Sequence, residues 1–491
     1  MYFYTSLTRI IMKKILVLCL LVAPFFSFSQ EFRIKKGAVT DSLQFPGDIE
    51  ESFAIYLPSN YSPEEKWPLI FVFDPQGRGA AAANLFRYAA EDRGYIVASA
   101  NFSLKSEPID SLSSKALLMM RTLFNSFPID QKQVFSAGID EGGQIASAIS
   151  IFYPQMAGVL SIGNSFVIPK GLDKDNPYLF IGMAGRRDYM IYVMENYLKY
   201  FDKNDFPTEA DYYDGKEGQW PPSSIIYNAV GSFTLQSIRD GNRDNSEGLV
   251  DSIFKKEMDY VESLRRKREF LYAYQKLEQM EKTYEDFGKE EAIESKMKEI
   301  KTADGYKTQK RNFNRAVIYE RQKQDEFEYL LRVDIISKNF KNIGWWAYQV
   351  DELNKLKDSD NEARSNMAYR LHSYIDFITK REQKAVMNSS AEIDLKVFIN
   401  VLRTAIQKEE PEAYLNIISL AGSDYNYDTA LLYLEDLLKT GYSDMDALYE
   451  IPGTLDLKLT RDYNQLIKKY LGTARYFNED ASEEKEISIE H

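Results

Sequence analysis

The chain has 491 residues, of which 44% are hydrophobic, 27% charged and 14% aromatic, and its net charge is −13. This much apolar material fills one or two ordinary cores and excludes disordered and fibre-forming classes, while the sign of the charge argues against a nucleic-acid partner. One cysteine and two histidines exclude a disulfide framework and zinc sites of Cys and His.

The first segment reads as an address. From Met12 it runs through Lys13-Lys14, an apolar stretch at 15–23, and Ser27-Phe28-Ser29. A basic start, a short apolar centre and small residues at the −3 and −1 positions describe a secretory signal peptide over 1–29, with 1–11 an upstream extension. The apolar stretch is short for a membrane span, and nothing later supplies one. The expectation is an exported protein, periplasmic or extracellular, with no transmembrane span.

Residues 52–57 and 69–73 then read as strands, the second an unbroken apolar run of the kind buried on both faces. A helix is expected at 80–93, a strand at 95–100, a helix at 111–124 and a strand at 134–137. A helix at 143–152 and strands at 158–162 and 177–183 follow. Alternation of this kind predicts, for 30–238, a parallel sheet with helices on both faces. Gly241, Asn242, Asn245, Ser246 and Gly248 mark a linker over 239–249. Beyond it strand signals cease. Segments 254–278 and 329–336 have helical spacing, and the charged face of 257–282 reads as solvated surface. Residues 413–422 and 427–434 form a helix–turn–helix pattern that resembles a tetratricopeptide unit. Residues 250–475 are therefore expected to be an all-α, tetratricopeptide-like domain, with an irregular helical bundle as the alternative and an acidic, disordered tail over 476–491.

The chemistry-bearing stretch is Val134-Phe135-Ser136-Ala137-Gly138-Ile139-Asp140-Glu141-Gly142-Gly143, a strand running straight into a helix. It has the shape of the nucleophile elbow G-x-S-x-G, with Asp140 where the serine would stand. Three further stretches accompany it: Phe73-Asp74-Pro75-Gln76-Gly77 after an early strand, and Ala184-Gly185-Arg186-Arg187-Asp188 after a later one. The last is Asp214-Gly215-Lys216-Glu217-Gly218-Gln219-Trp220-Pro221-Pro222. Together, over about residues 40–235, they resemble the secreted bacterial α/β-hydrolase family of esterase D-like and polyester depolymerase-like enzymes. The resemblance implies an α/β-hydrolase fold with a triad acid at Asp188 and an oxyanion loop at Gln76 and Gly77, where relatives carry His-Gly. Glu141, which follows the nucleophile, would contribute the other oxyanion position. The triad histidine would fall at Glu217 or Gly218, where relatives read Gly-x-His-x-Trp-Pro-Pro.

The serine, the triad histidine and the histidine of the oxyanion His-Gly, here Gln76-Gly77, are thus all replaced. Acyl transfer by a serine needs an imidazole to take and return the proton, and the two histidines, His372 and His491, lie far along the chain. The main expectation is a catalytically inactive hydrolase-fold protein of the cell envelope that binds an envelope protein or peptide through 250–475. The alternative is an active hydrolase, on an ester or related bond, with Asp140 as nucleophile and Glu217 as base. Two other readings are a hard-cation site at Asp140, Glu141, Asp188 and Glu217, and a carbohydrate or peptide pocket in the old cleft. No Gly-x-x-x-x-Gly-Lys-Ser loop is present, Gly77-Arg78-Gly79 has the wrong spacing for a dinucleotide, and no cofactor is expected.

Overall fold

The computed structural model describes residues 34–477 apart from 46–49, 106, 167–171 and 246–247. The proposed signal peptide and nearly all of the acidic tail lie outside the described residues.

Eight strands form one sheet in the order β1-β2-β4-β3-β5-β6-β7-β8. They are β1 Val39–Gln44, β2 Ser52–Tyr56, β3 Trp67–Phe73, β4 Ile96–Ala100, β5 Ile129–Ile139, β6 Gly158–Ile162, β7 Leu179–Arg187 and β8 Thr208–Lys216. From β4 to β8 all pairings are parallel, whereas β2 runs antiparallel to both β1 and β4. All seven residues of β3 are buried, as its apolar run requires. Helices α1 Gly79–Arg93, α2 Ile109–Ser126, α3 Glu141–Phe152, α4 Ile191–Asp202 and α5 Ser223–Arg239 cover the two faces. One core, containing Phe71, Phe73, Met119 and Ile149, lies on one side of the sheet; the other, containing Ile70, Val72, Phe86 and Phe233, lies on the opposite side. This is the α/β-hydrolase fold, with its strand–elbow–helix unit at β5 and α3.

The sheet is parallel-rich with flanking helices, as expected, and its antiparallel pairings are confined to β2 with β1 and β4. β1, α4, β8 and α5 were not anticipated from the sequence. β8 reads Thr-Glu-Ala-Asp-Tyr-Tyr-Asp-Gly-Lys, and its polar residues hide the strand because Glu209 is buried against the helical half rather than in water.

Twelve helices follow among the described residues: α6 Leu249–Arg266, α7 Phe270–Thr283, α8 Glu290–Thr302, α9 Tyr306–Ser337, α10 Ile343–Lys357, α11 Glu362–Met387, α12 Ile393–Ile406, α13 Pro411–Ser423, α14 Tyr427–Lys439, α15 Met445–Glu450, α16 Leu455–Lys458 and α17 Arg461–Leu471. The expected single helical segment at 254–278 is two helices, broken where Arg268 takes a positive φ of 64°. Helices α9 and α11 have 32 and 26 residues, longer than either half of a tetratricopeptide unit of about 34 residues can be. The neighbouring pairs α7 with α8, α12 with α13 and α13 with α14, of 13 or 14 residues per helix, have the proportions of such a unit. None of the helices is long and apolar enough to cross a membrane among the described residues.

The charged face of 257–282 is only partly the solvated surface its composition suggests. Lys276 is buried, with Nζ 2.9 Å from Glu257 Oε1 and 3.3 Å from Asp211 Oδ2 of β8. Thr283 donates to the buried Glu209 of β8 at 2.9 Å, and the backbone N–H of Ala210 donates to Gln279 at 3.0 Å. The helical half is bolted to the sheet edge by buried polar groups.

Candidate active site

Asp140 sits at the turn between β5 and α3 with φ 50° and ψ −118°. A side chain pays about 1–3 kcal/mol for such a conformation, and the turn is fixed by its surroundings. The Asp140 N–H donates to the carbonyl of Ile162 at 2.9 Å. A Cβ on Gly138 would lie 2.2 Å from the Gly142 backbone, and one on Gly142 only 2.1 Å from the carbonyl oxygen of Phe73. The elbow glycines are demanded by this close approach of strand and helix.

Three carboxyls converge on the turn. A Cβ placed on Gly163 would lie 2.7 Å from Asp140 Oδ1 and 3.4 Å from Asp188 Oδ2, so both acids face one point at the end of β6. Asp188, at the end of β7, is 2% exposed and accepts one backbone hydrogen bond, from Met190 at 2.9 Å. Burial and then the charges of Asp188 and Glu141 push Asp140 up to about 7. Burial also lifts Asp188 to about 6, against the Met190 N–H and the charge of Arg370. Glu217 rises to about 7, first through desolvation by the surrounding protein and then through Asp188, Asp140 and Asp376. By surface area Glu217 remains exposed, so water screens part of those charges.

Of the two positions for the lost histidine, Gly218 faces the elbow directly: its Cβ would stand 3.5 Å from Asp140 Oδ2. The longer aspartate reaches toward the volume that a side chain at 218 would enter. Among the described residues no hydrogen bond joins Asp140 to an imidazole. His372 is nevertheless less remote than its sequence position suggests. It lies on α11, which packs against β7, and Asp376 of that helix acts on both His372 and Glu217. Burial and the charge of Lys357 lower His372 to about 4, so its imidazole is neutral and weakly basic at neutral pH.

The loop after β3 is turned inward. Asp74, 2% exposed, accepts from the backbone N–H of Gln76 at 2.9 Å, and its carbonyl accepts from Gly77 N–H at 3.0 Å. Its carboxylate also pairs with Arg78 at 2.8 Å and accepts from the Trp220 indole at 2.8 Å. Those hydrogen bonds, led by Arg78 and Trp220, outweigh burial and hold Asp74 below the usual carboxylate range. Both sequence-derived donors of this loop are therefore spent on Asp74. Glu141, at the first turn of α3, is exposed, and only its N–H is placed to face a ligand at the elbow.

Sequence reasoning missed what stands over the site. Tyr189, next to Asp188, packs its ring 5.1 Å from Phe377 and 6.3 Å from Tyr374 of α11. Tyr369 of the same helix meets Arg187 at 5.5 Å and Lys216 at 5.1 Å. Arg370 donates to the carbonyl of Arg186 at 2.5 Å and pairs with Glu320 through two bonds of 2.8 and 2.5 Å. Helix α11 thus roofs the strand ends from which Asp188 and Glu217 project. None of the five principal cavities among the described residues is lined by Asp140, Asp188 or Glu217. No group of three or more His, Cys, Asp or Glu among the described residues is arranged to hold a metal ion.

No protein-family model matches the chain, and no curated protein matches it. Solved structures similar to part of this chain include the fluorophosphonate-binding serine hydrolase FphF of Staphylococcus aureus, at 12% identity and a TM-score of 0.35, covering 40% of this chain and 99% of that one. A thermostable esterase is 14% identical at a TM-score of 0.32, with 44% of this chain and 62% of that chain covered. A Bacteroides ovatus protein assigned as a dipeptidyl aminopeptidase IV is 12% identical at a TM-score of 0.32, covering 40% of this chain and 35% of that one. The chain spans less than two thirds of the last two. The fold assignment rests on the strand order and the elbow.

Proposed function

We propose that this is an exported α/β-hydrolase-fold protein whose serine-type acyl transfer is lost, and which works by binding, with the helical half at 250–475 engaging an envelope protein or peptide. The loop after β3 carries the reading: Gln76 and Gly77 give their N–H groups to Asp74, so a developing oxyanion would find one donor, at Glu141, where such sites use two or more. The absence of a side chain at Gly218 and the roof of α11 support it further. The export leader at Lys13-Lys14 through Ser29 supports the compartment.

A second reading, hydrolysis with Asp140 as nucleophile, is favoured by one observation. Asp140 keeps the strained backbone of a nucleophile elbow although its side chain has changed, and strain persists where surroundings enforce it or function uses it. Under that reading the chain cleaves an ester or related bond, with Glu217 as the base that activates water.

One experiment separates the two. The purified chain is treated with a fluorophosphonate probe and assayed on short acyl esters, beside Asp140→Asn and Asp140→Ser. The binding reading expects no labelling of any of them and turnover at the buffer rate. Turnover by the parent chain that Asp140→Asn abolishes would establish the hydrolase reading instead.

A further inference from the structure

Away from the elbow, α9, α10 and α11 enclose a cavity of about 450 Å³, within the size range of small-molecule sites, roughly 300–1,000 Å³. Four of its residues are Asn312, Arg315, Ala316 and Tyr319, spaced i, i+3, i+4 and i+7 along one face of α9. Arg364 and Met367 face it from α11. The floor is apolar, made of Ala316, Met367 and the half-buried Leu356. The rim is cationic. Arg315 and Arg364 are both exposed, neither has an ion-pair partner among the described residues, and no aspartate or glutamate lines the cavity. That is unusual company in a chain of net charge −13. Asn361 spends its side-chain oxygen capping α11, accepting from Arg364 N–H at 3.3 Å, which leaves its amide N–H₂ as a donor.

Both charged groups here are cations, the Asn312 amide and the Tyr319 hydroxyl can each donate as well as accept, and everything beneath is hydrocarbon or thioether. We infer that this cavity binds an anionic amphiphile: one acidic oxygen head group, carboxylate or phosphate, on a short apolar body. Guanidinium groups match the oxygens of such heads geometrically as well as electrically. Met367 suits a flexible body because a thioether side chain adapts to irregular shapes. The volume admits a single short chain.

The test is titration calorimetry on the purified chain with octanoate, octyl phosphate, octanol and octylamine. Saturable one-to-one binding of octanoate or octyl phosphate, with none of octanol or octylamine, is expected, and the tighter of the two acids identifies the head group. Arg315→Gln with Arg364→Gln should weaken that binding at least tenfold while the far-ultraviolet circular dichroism is unchanged. Met367→Trp, which fills the floor and leaves both arginines, should also abolish it. Failure of both acids to bind, equal binding of octanol, or an unaltered affinity in the double arginine variant would overturn the assignment.

Discussion

Asp140, Asp188 and Glu217 make the elbow's contribution to stability depend on pH. An acid whose folded pKa is raised prefers its protonated form in the fold. Its stabilising contribution is therefore complete below the unfolded value and is lost as pH climbs through the folded one. With Asp140 and Glu217 at about 7 and Asp188 at about 6, stability should fall from about pH 4 to about pH 7. Asp140→Asn removes one charge and relieves the other two. Its thermal midpoint should exceed that of the parent by more at pH 8 than at pH 5, corresponding to a few kcal/mol at the higher pH on the order of the shift itself. Differential scanning calorimetry at the two pH values checks this, and an advantage independent of pH would count against carboxyl repulsion. The positions of all these acids were readable in the sequence, because the elbow and its partner stretches have fixed glycine and aspartate spacings. Their mutual exposure was not. That depends on Gly163 and Gly218, whose missing side chains let the carboxyls face each other, and a glycine in a loop announces only a turn.

At the scale of elements, α11 governs the site. Its hold on the sheet is Arg370, 4% exposed at the side chain, paired with the fully buried Glu320 of α9, which also accepts from Tyr192 of α4 at 2.8 Å. Arg370→Leu would leave Glu320 buried without its cation, an arrangement that costs about 3–5 kcal/mol. Urea unfolding should show a loss of that size, while Arg381→Leu, at an exposed pair on the same helix, should change stability by under about 1 kcal/mol. The central strands were legible because apolar runs such as 67–73 have no other stable home. The polar strand β8 and the helix that roofs the site were not, since their buried charges are matched by partners 50 or more residues away, as with Arg370 and Glu320 or Lys276 and Asp211. Local pattern carries no trace of such a partner.

The whole molecule is expected to melt as one unit. The two halves share an apolar cluster in which Leu235 of α5 packs with Val250 and Ile253 of α6. They also share the buried set of Lys276, Glu257, Asp211 and Glu209. Either half alone would expose part of this set unpaired, so calorimetry of the full chain should give a single transition whose van't Hoff and calorimetric enthalpies agree. Two resolved transitions would show that the halves are independent domains.

The contacts between the halves make the peptide bonds joining them dispensable. Between α5 and α6, Gly241 and Gly248 both take positive φ with open space around them. A protease entering there would cut the backbone without touching Lys276, Arg186 or Arg370. The nicked protein should travel through a sizing column as one particle and come apart into two polypeptides only in denaturant. Covalent continuity would then be a record of how the two parts are made together, and buried charge the reason they stay so.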